Sequence, residues 1–137
     1  MALFQWDVRV YYEDTDSGGV VYYANYLRFM ERARTEWMRS LGFEQDRLLA
    51  EQGILFAVRS ASIDYLRPAR FNDRLDVTVD VRHRGRASLT LAQAVLRHGD
   101  SYGPLCTGTV KIACLDAETF RPQPIPDNIL KEIVNGG

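Results

Sequence analysis

Three carboxylates and two glycines crowd one short segment of the chain. They are Glu13, Asp14, Asp16, Gly18 and Gly19. A carboxylate can remove a proton from water or attack a carbonyl carbon, and glycine lets the backbone approach a ligand closely. A largely apolar stretch follows and predicts a helix start, where unpaired N–H groups can polarise a carbonyl oxygen. From the residues alone, the simpler interpretation of Asp16 is a turn or cap residue, and Glu13 and Asp14 are interpreted as turn and surface residues.

A second group of candidate residues is basic and surrounds a glycine. The segment Arg82–Ser88 contains three arginines and one histidine around Gly85. Arginine binds phosphate groups well, because its planar guanidinium presents several donors. The alternative is the solvated tip of a β-hairpin without a ligand. Arg59 is a weaker candidate for the same task.

The spacing of apolar residues predicts the elements that position these groups. A strand over 4–12 leads into the acidic segment, and a helix over 26–41, with Asn25 as its cap and Gly42 as its stop, leads out of it. Further strands are predicted over 54–66, 75–82, 87–97 and 105–115, and shorter helices over 44–51 and 127–134. The pattern indicates a single α+β domain over residues 1–137, with an antiparallel sheet of about five strands wrapped around one long central helix.

Composition argues against several classes of protein. The 137 residues carry a net charge of −1, which gives no basis for nucleic-acid binding. The N-terminus does not resemble a signal peptide, and no stretch approaches the roughly 18 apolar residues of a transmembrane segment. Cys106 and Cys114 lie too far apart on one predicted strand for a disulfide, so we expect free thiols in a reducing compartment. The two cysteines and two histidines are too scattered to predict a zinc site, so we expect no metal.

Longer motifs resemble a known family. The segments D-T-D-S-G-G-V-V-Y-Y-A-N-Y, F-M-E-R-A-R-T-E, Y-L-R-P-A-R-F-N-D-R-L and R-G-R-A-S-L occur in this order. They are similar to hotdog-fold acyl-CoA thioesterases of the 4-hydroxybenzoyl-CoA thioesterase type, and most of all to the bacterial thioesterases associated with the Tol–Pal system. The similarity covers roughly residues 8–126. It implies a hotdog fold, an acyl-CoA substrate, and a homodimer with a continuous sheet, with two such dimers forming a homotetramer.

The resemblance also implies catalytic roles. The second aspartate of the D-x-D motif is the catalytic carboxylate of the family, as nucleophile or as general base, and it corresponds to Asp16. The backbone N–H that polarises the thioester corresponds to Tyr23. Enteric relatives of the Tol–Pal type commonly carry histidine at this position, so the feature shared with them is the backbone donor and not an imidazole.

Substrate contacts are implied at three further positions. The family uses the strand and turn that follow the P-A-R loop to bind the pantetheine and nucleotide of coenzyme A, which implies such contacts for Arg84, Gly85 and Ser88. Gly19 and Arg59 are the remaining candidates for substrate binding. No metal ion and no cofactor is implied, since coenzyme A is part of the substrate.

Other functions stay open at this point. The enzyme could act on acyl–acyl carrier protein or on an aromatic acyl-CoA in place of an aliphatic one. A module that binds acyl-CoA or acyl carrier protein without hydrolysis, or a partner of a membrane-envelope assembly, belongs to a different class. Asp16 favours hydrolysis, because a pure binding protein has no need of a carboxylate beside the thioester. The expected location is the cytoplasm, with peripheral association at the inner membrane as an alternative, and the expected setting is lipid metabolism.

Overall fold

The computed structural model describes residues 3–136, and these contain one antiparallel sheet and three helices. The strands are β1 (Phe4–Arg9), β2 (Ile54–Tyr65), β3 (Arg74–Arg84), β4 (Ser88–Arg97) and β5 (Cys106–Asp116). The helices are α1 (Asn25–Ser40), α2 (Gln45–Gln52) and α3 (Asp127–Gly136). The strand order is β1-β3-β4-β5-β2, and each neighbouring pair is antiparallel. The predicted α+β class and five-stranded antiparallel sheet are confirmed.

The sheet has a buried face and a more polar face because apolar residues alternate along its central strands. On β3, Leu75 and Val77 are fully buried, whereas Asp76 and Asp80 on the opposite face are only half-buried. On β4, Leu89, Leu91 and Val95 are likewise buried, and they join the same core.

Helix α1 packs against the buried face of the sheet, mainly over β1, β3 and β4. Its buried residues recur at three- and four-residue spacing and include Phe29, Met30, Ala33 and Trp37, the stripe expected of an amphipathic helix. The helix ends before Gly42, whose φ of +96° favours glycine over any other residue. Helices α2 and α3 add Leu48, Ile129 and Ile133 to the core, so α1 is the longest of three helices that contribute to it.

Two buried features join α1 to the sheet. Gln93 on β4 donates from Nε2 to the carbonyl oxygens of Met30 (3.1 Å) and Thr78 (3.3 Å), and its Oε1 accepts from Arg34 (2.9 Å). This buried amide is therefore satisfied at both ends. On β5, a Cβ at Gly108 would lie 2.6 Å from Ile63 Cδ1 and 3.3 Å from Met30 Sδ, so a side chain there would displace the ends of both of these residues.

Strand β2 is the long, exposed edge of the sheet. It has 12 residues, and most of its side chains are half-buried or exposed. Its pairing with β5 shifts register between Val58 and Ser60, which makes Arg59 the extra residue of a β-bulge. Its outer edge presents unpaired backbone donors and acceptors, which can pair with another strand.

The observed element boundaries differ from the predicted ones mainly around the acidic segment. The first strand ends at Arg9 and not at residue 12, because a 3-10 turn over Tyr12–Asp14 follows. The predicted cap was also wrong: Asn25 is the first residue of α1, and Ala24 at the cap position makes no side-chain hydrogen bond. The amide of Asn25 instead donates to Asp14.

Candidate functional site

Asp16 lies in a tight turn whose geometry depends on the glycines. Its N–H donates to the carbonyl oxygen of Val20 (2.9 Å), and its own carbonyl oxygen accepts from Gly19 (3.0 Å). Its Oδ1 accepts from the N–H of Gly18 at 2.8 Å. Gly19 has a φ of +78°, which a side chain would strain. The carboxylate of Asp16 is exposed, so the turn holds it in place while leaving it accessible.

Asp14 is the structural anchor of the same segment. Its Oδ2 accepts from the N–H of Tyr11 (2.8 Å), and its Oδ1 accepts from the Asn25 amide (3.1 Å). Its carbonyl oxygen accepts from the N–H of Tyr22 (2.9 Å). The interpretation of Asp14 as a surface residue was wrong, since it is 9 % exposed. These bonds join the end of β1 to the start of α1.

The start of α1 presents free backbone donors next to the Asp16 turn. The N–H of Tyr22 is bonded to Asp14, and that of Asn25 is bonded to the carbonyl oxygen of Tyr22 (2.8 Å). Between them, the N–H groups of Tyr23 and Ala24 donate no hydrogen bond to any residue that the structure describes. Unpaired donors at a helix start attract negative charge, so they can bind an oxyanion.

The loop between β2 and β3, residues 66–73, holds this segment from the other side; we name it the Pro68 loop. The carbonyl oxygen of Ala69 accepts from the N–H of Val21 (2.8 Å), and the N–H of Ala69 donates to the Tyr26 hydroxyl (2.9 Å). Tyr26 is 3 % exposed, and burial raises the pKa of its phenol above the usual value. The phenol therefore stays neutral at physiological pH and serves as an acceptor.

Tyrosine side chains border the turn and the helix start. The ring of Tyr23 lies 4.9 Å from that of Tyr22 and 6.0 Å from that of Tyr65, and Tyr65 lies 5.6 Å from Tyr26, between ring centroids. Tyr22, Tyr23 and Tyr65 are exposed. Nearby Cys106 is buried, and desolvation raises the pKa of its thiol to about 11. The accessible wall of the site is thus aromatic, and the thiol behind it is neutral.

The predicted substrate-binding residues Arg84, Gly85 and Ser88 lie at the opposite end of the sheet. The N–H of Gly85 donates to the carbonyl oxygen of Ser88 (2.8 Å), and a Cβ at Gly85 would lie 2.7 Å from Ser88 Oγ. This close approach explains the glycine, and the side chain of Arg84 is exposed. Strand β3 spans 11 residues, so its two ends are about 33 Å apart at ~3.3 Å per residue. One chain therefore does not bring this hairpin to Asp16, and Arg59, midway along β2, is also remote from the turn.

Asp16, Gly19 and Tyr23 are close in the sequence and lie in one segment between β1 and α1. The polar groups that fix this segment were not predicted. Tyr26 and Ala69 are separated by 43 residues along the chain, so no local pattern predicts their hydrogen bond. A tyrosine on the buried face of a helix was the available signal, because a buried hydroxyl needs a partner.

We expect Asp14→Ala to lower the free energy of unfolding by ~2–4 kcal/mol, because the part-buried N–H of Tyr11 and the buried amide of Asn25 would each lose a carboxylate acceptor, and each such loss costs about 1–3 kcal/mol. Urea denaturation measures this change. Glu13→Ala is the matched control, since the neighbouring carboxylate is exposed, and it should change stability by less than about 0.5 kcal/mol. Equal losses in the two variants would contradict the anchoring role of Asp14.

Among residues 3–136, no helix is both long and apolar enough to cross a membrane. In the same part of the chain, no group of three or more His, Cys, Asp or Glu side chains is arranged to hold a metal ion.

Comparisons with known proteins agree over most of the chain. Residues 10–133 match the model of the thioesterase-like superfamily. The chain is 44 % identical to the acyl-CoA thioesterase YbgC of Haemophilus influenzae over 92 % of this chain and 90 % of the relative. It is 40 % identical to the acyl-CoA thioester hydrolase YbgC of Escherichia coli O6:H1 over 95 % of each chain. A solved structure of a probable thioesterase from Bartonella henselae superimposes with a TM-score of 0.84 at 34 % identity, covering 91 % of this chain and 100 % of that one. The chain belongs to the thioesterase-like superfamily of hotdog-fold proteins.

Proposed function

We propose that this protein is an acyl-CoA thioesterase that hydrolyses its substrate to a carboxylic acid and free coenzyme A. In this proposal Asp16 is the catalytic carboxylate and the backbone N–H of Tyr23 polarises the thioester carbonyl. One observation carries the proposal: an accessible carboxylate, held by its own turn, lies in the same segment as two unpaired N–H groups at a helix start. The relatives named as acyl-CoA thioesterases support the choice of substrate.

The proposed reaction proceeds through an oxyanion at the thioester carbonyl. The N–H of Tyr23 donates to this oxygen as negative charge develops on it, with the dipole of α1 behind the donor. Asp16 removes a proton from water, which attacks the carbonyl carbon, or attacks that carbon itself to form an anhydride that water then opens. In both routes the C–S bond breaks and the thiolate of coenzyme A leaves and is protonated. These steps use only groups of the chain and water.

We further propose that the site is completed by a second copy of the chain. The exposed edge of β2 can pair with its own copy in antiparallel orientation about a twofold axis, which continues the sheet. Such pairing turns the partner end for end, so its Arg84–Ser88 hairpin comes to the Asp16 end of the first copy. It would lie about three strand spacings, ~14 Å, from the first copy's β2. The distance between Arg84 and Asp16 within one chain supports this arrangement, because in a single chain Arg84 could contact only a ligand that lies far from Asp16.

Several finer features are proposed on the resemblance alone. We propose that α1 is the central helix around which the sheet curves, and that two dimers assemble into a tetramer. Use of acyl–acyl carrier protein, residence in the cytoplasm and peripheral association with the inner membrane stay predictions. The relatives' names support acyl-CoA as the first substrate class to test.

Asp16→Asn should lower kcat by about 10²–10⁴-fold, the usual loss when a general base is removed. The carboxamide has nearly the shape of the carboxylate but neither its basicity nor its nucleophilicity. Release of free thiol from a panel of acyl-CoAs measures the rate, and circular dichroism checks the fold. Retention of more than about a tenth of the wild-type kcat would show that Asp16 is not catalytic. A wild-type protein that releases no thiol would instead favour an acyl-CoA-binding module.

Tyr23→Phe should retain most of the wild-type kcat, because the proposed donor is the backbone N–H and the substitution leaves it in place. Loss of one oxyanion donor typically costs ~3–4 kcal/mol of activation free energy, which sets the scale for comparison. Tyr23→His tests the same point with a side chain of different chemistry and should also remain active. A Tyr23→Phe enzyme as slow as Asp16→Asn would mean that the phenol takes part in the reaction.

Arg84→Ala should raise KM for acyl-CoA far more than KM for the matching acyl-pantetheine, which lacks the nucleotide phosphates. The effect should shrink at high salt, since exposed charge pairs are screened. Glu118→Ala, a change of an exposed side chain outside the Arg84–Ser88 hairpin, controls for unspecific effects. Equal losses on both substrates would place Arg84 outside the phosphate contacts.

The same variant also tests the shared site. The two variants Asp16→Asn and Arg84→Ala are mixed in equal amounts, unfolded and refolded together. About half of the dimers then contain one copy of each variant, and each such dimer has one site with both Asp16 and Arg84 intact. Roughly a quarter of all sites should therefore be intact. At subsaturating substrate, the hydrolysis rate of the refolded mixture should exceed the sum of the rates that its two homodimer populations give separately. A rate equal to that sum would mean that both residues act within one chain.

A further inference from the structure

Arg97, the last residue of β4, binds three acceptors at the end of the sheet that carries Asp16. Its Nε donates to Asp73 Oδ2 (3.1 Å), one terminal nitrogen donates to the carbonyl oxygen of Pro68 (3.2 Å), and the other lies 3.4 Å from Asp100 Oδ2. The side chain of Asp100 is 8 % exposed and that of Asp73 is 21 % exposed. A guanidinium can hold several acceptors in one fixed plane, so Arg97 joins the Pro68 loop to the β4–β5 hairpin.

The contacts of Arg97 fix the part of the Pro68 loop that contacts the proposed site. Asp73 Oδ2 also accepts from the N–H of Arg70 (2.9 Å), so Arg97 and Asp73 close the loop on both sides of Ala69. Ala69 in turn accepts from Val21 and donates to Tyr26. Val21 lies two residues before Tyr23. The path from the guanidinium to the free N–H of Tyr23 thus consists of consecutive hydrogen bonds and short backbone segments.

The surroundings of Tyr26 support this connection independently. Burial is the main reason that the pKa of its phenol is raised, and the positive charge of Arg97 is one of the smaller opposing influences. Arg97 is therefore close enough to act on the phenol that holds Ala69. No part of the proposed chemistry requires Arg97 to touch the substrate.

We propose that Arg97 is a positioning residue for thioester hydrolysis: it fixes the Pro68 loop, and through Ala69 it sets the placement of the Tyr23 N–H relative to Asp16. This inference rests on the proposed function of Asp16 and Tyr23. A displacement of about 1 Å in a reacting group can cost on the order of 10²-fold in rate. Loss of Arg97 should consequently reduce kcat and leave KM nearly unchanged, since the loop lies behind the reacting groups.

The experiment compares Arg97→Gln, Arg97→Lys and Tyr26→Phe with wild type, each assayed well below its own unfolding temperature. We expect Arg97→Gln to lower kcat by at least about tenfold with KM within about twofold. Arg97→Lys should recover part of the loss, because an ammonium group can bind Asp73 but cannot span all three acceptors. The Arg97→Gln/Tyr26→Phe double variant should lose much less than the product of the two single losses, because both act through Ala69.

A second readout does not depend on activity. In Arg97→Gln, hydrogen exchange at the Val21 amide should accelerate at least about tenfold, whereas exchange at Val77 in the sheet core should remain slow. Arg74→Gln is the matched control: it breaks an exposed ion pair with Asp7 (3.0 Å) at the same end of the sheet, and the Arg74 side chain makes no hydrogen bond to any described residue of the Pro68 loop. It should change neither kcat nor exchange at Val21.

The outcomes separate this inference from the proposed function. Unchanged kcat in Arg97→Gln, multiplicative losses in the double variant, or a loss matched by Arg74→Gln would overturn the positioning role while leaving Asp16 and Tyr23 as proposed. A wild-type protein that releases no thiol from acyl-CoA, or an Asp16→Asn variant that remains active, would overturn the proposed function and the role of Arg97 with it.

Discussion

The carboxylate of Asp14 organises the segment on which the site depends. A buried carboxylate is costly unless its oxygens are hydrogen-bonded, and both oxygens of Asp14 have donors, from Tyr11 and from Asn25. Because the donors come from either side of the Asp16 turn, the chain between β1 and α1 has one low-energy arrangement. Asp16 itself stays outside this network: one of its carboxylate oxygens accepts from Gly18, and the side chain remains accessible to a ligand.

The sequence was a good guide to features with a local cause and a poor guide to features with a distant one. The spacing of apolar residues predicted the strands β3 and β4 and the helix α1. Asn25 was misinterpreted because a polar residue at a helix start usually caps the helix, whereas here its amide binds a carboxylate 11 residues earlier. The hydrogen bond between Tyr26 and Ala69 depends on how the β2–β3 connection folds back, which no local pattern encodes.

The length of the sheet divides the candidate residues into two groups. The carboxylate turn and the helix start lie at one end of β3, and the arginine-rich hairpin lies at the other. The order of the motifs along the chain did not reveal this separation, because it does not show at which end of the sheet each motif lies. The proposed twofold arrangement about the exposed edge of β2 would resolve it, since antiparallel strands place opposite ends side by side. The bulge at Arg59 falls near the middle of that edge.

The buried thiol of Cys106 has a chemical consequence for an enzyme that produces a thiol. Only the thiolate form of cysteine attacks a disulfide. With a pKa of about 11, on the order of one Cys106 thiol in ten thousand is ionised near pH 7. Its sulfur is also shielded from solvent. Burial and protonation of its thiol therefore both disfavour a mixed disulfide between Cys106 and the oxidised form of coenzyme A.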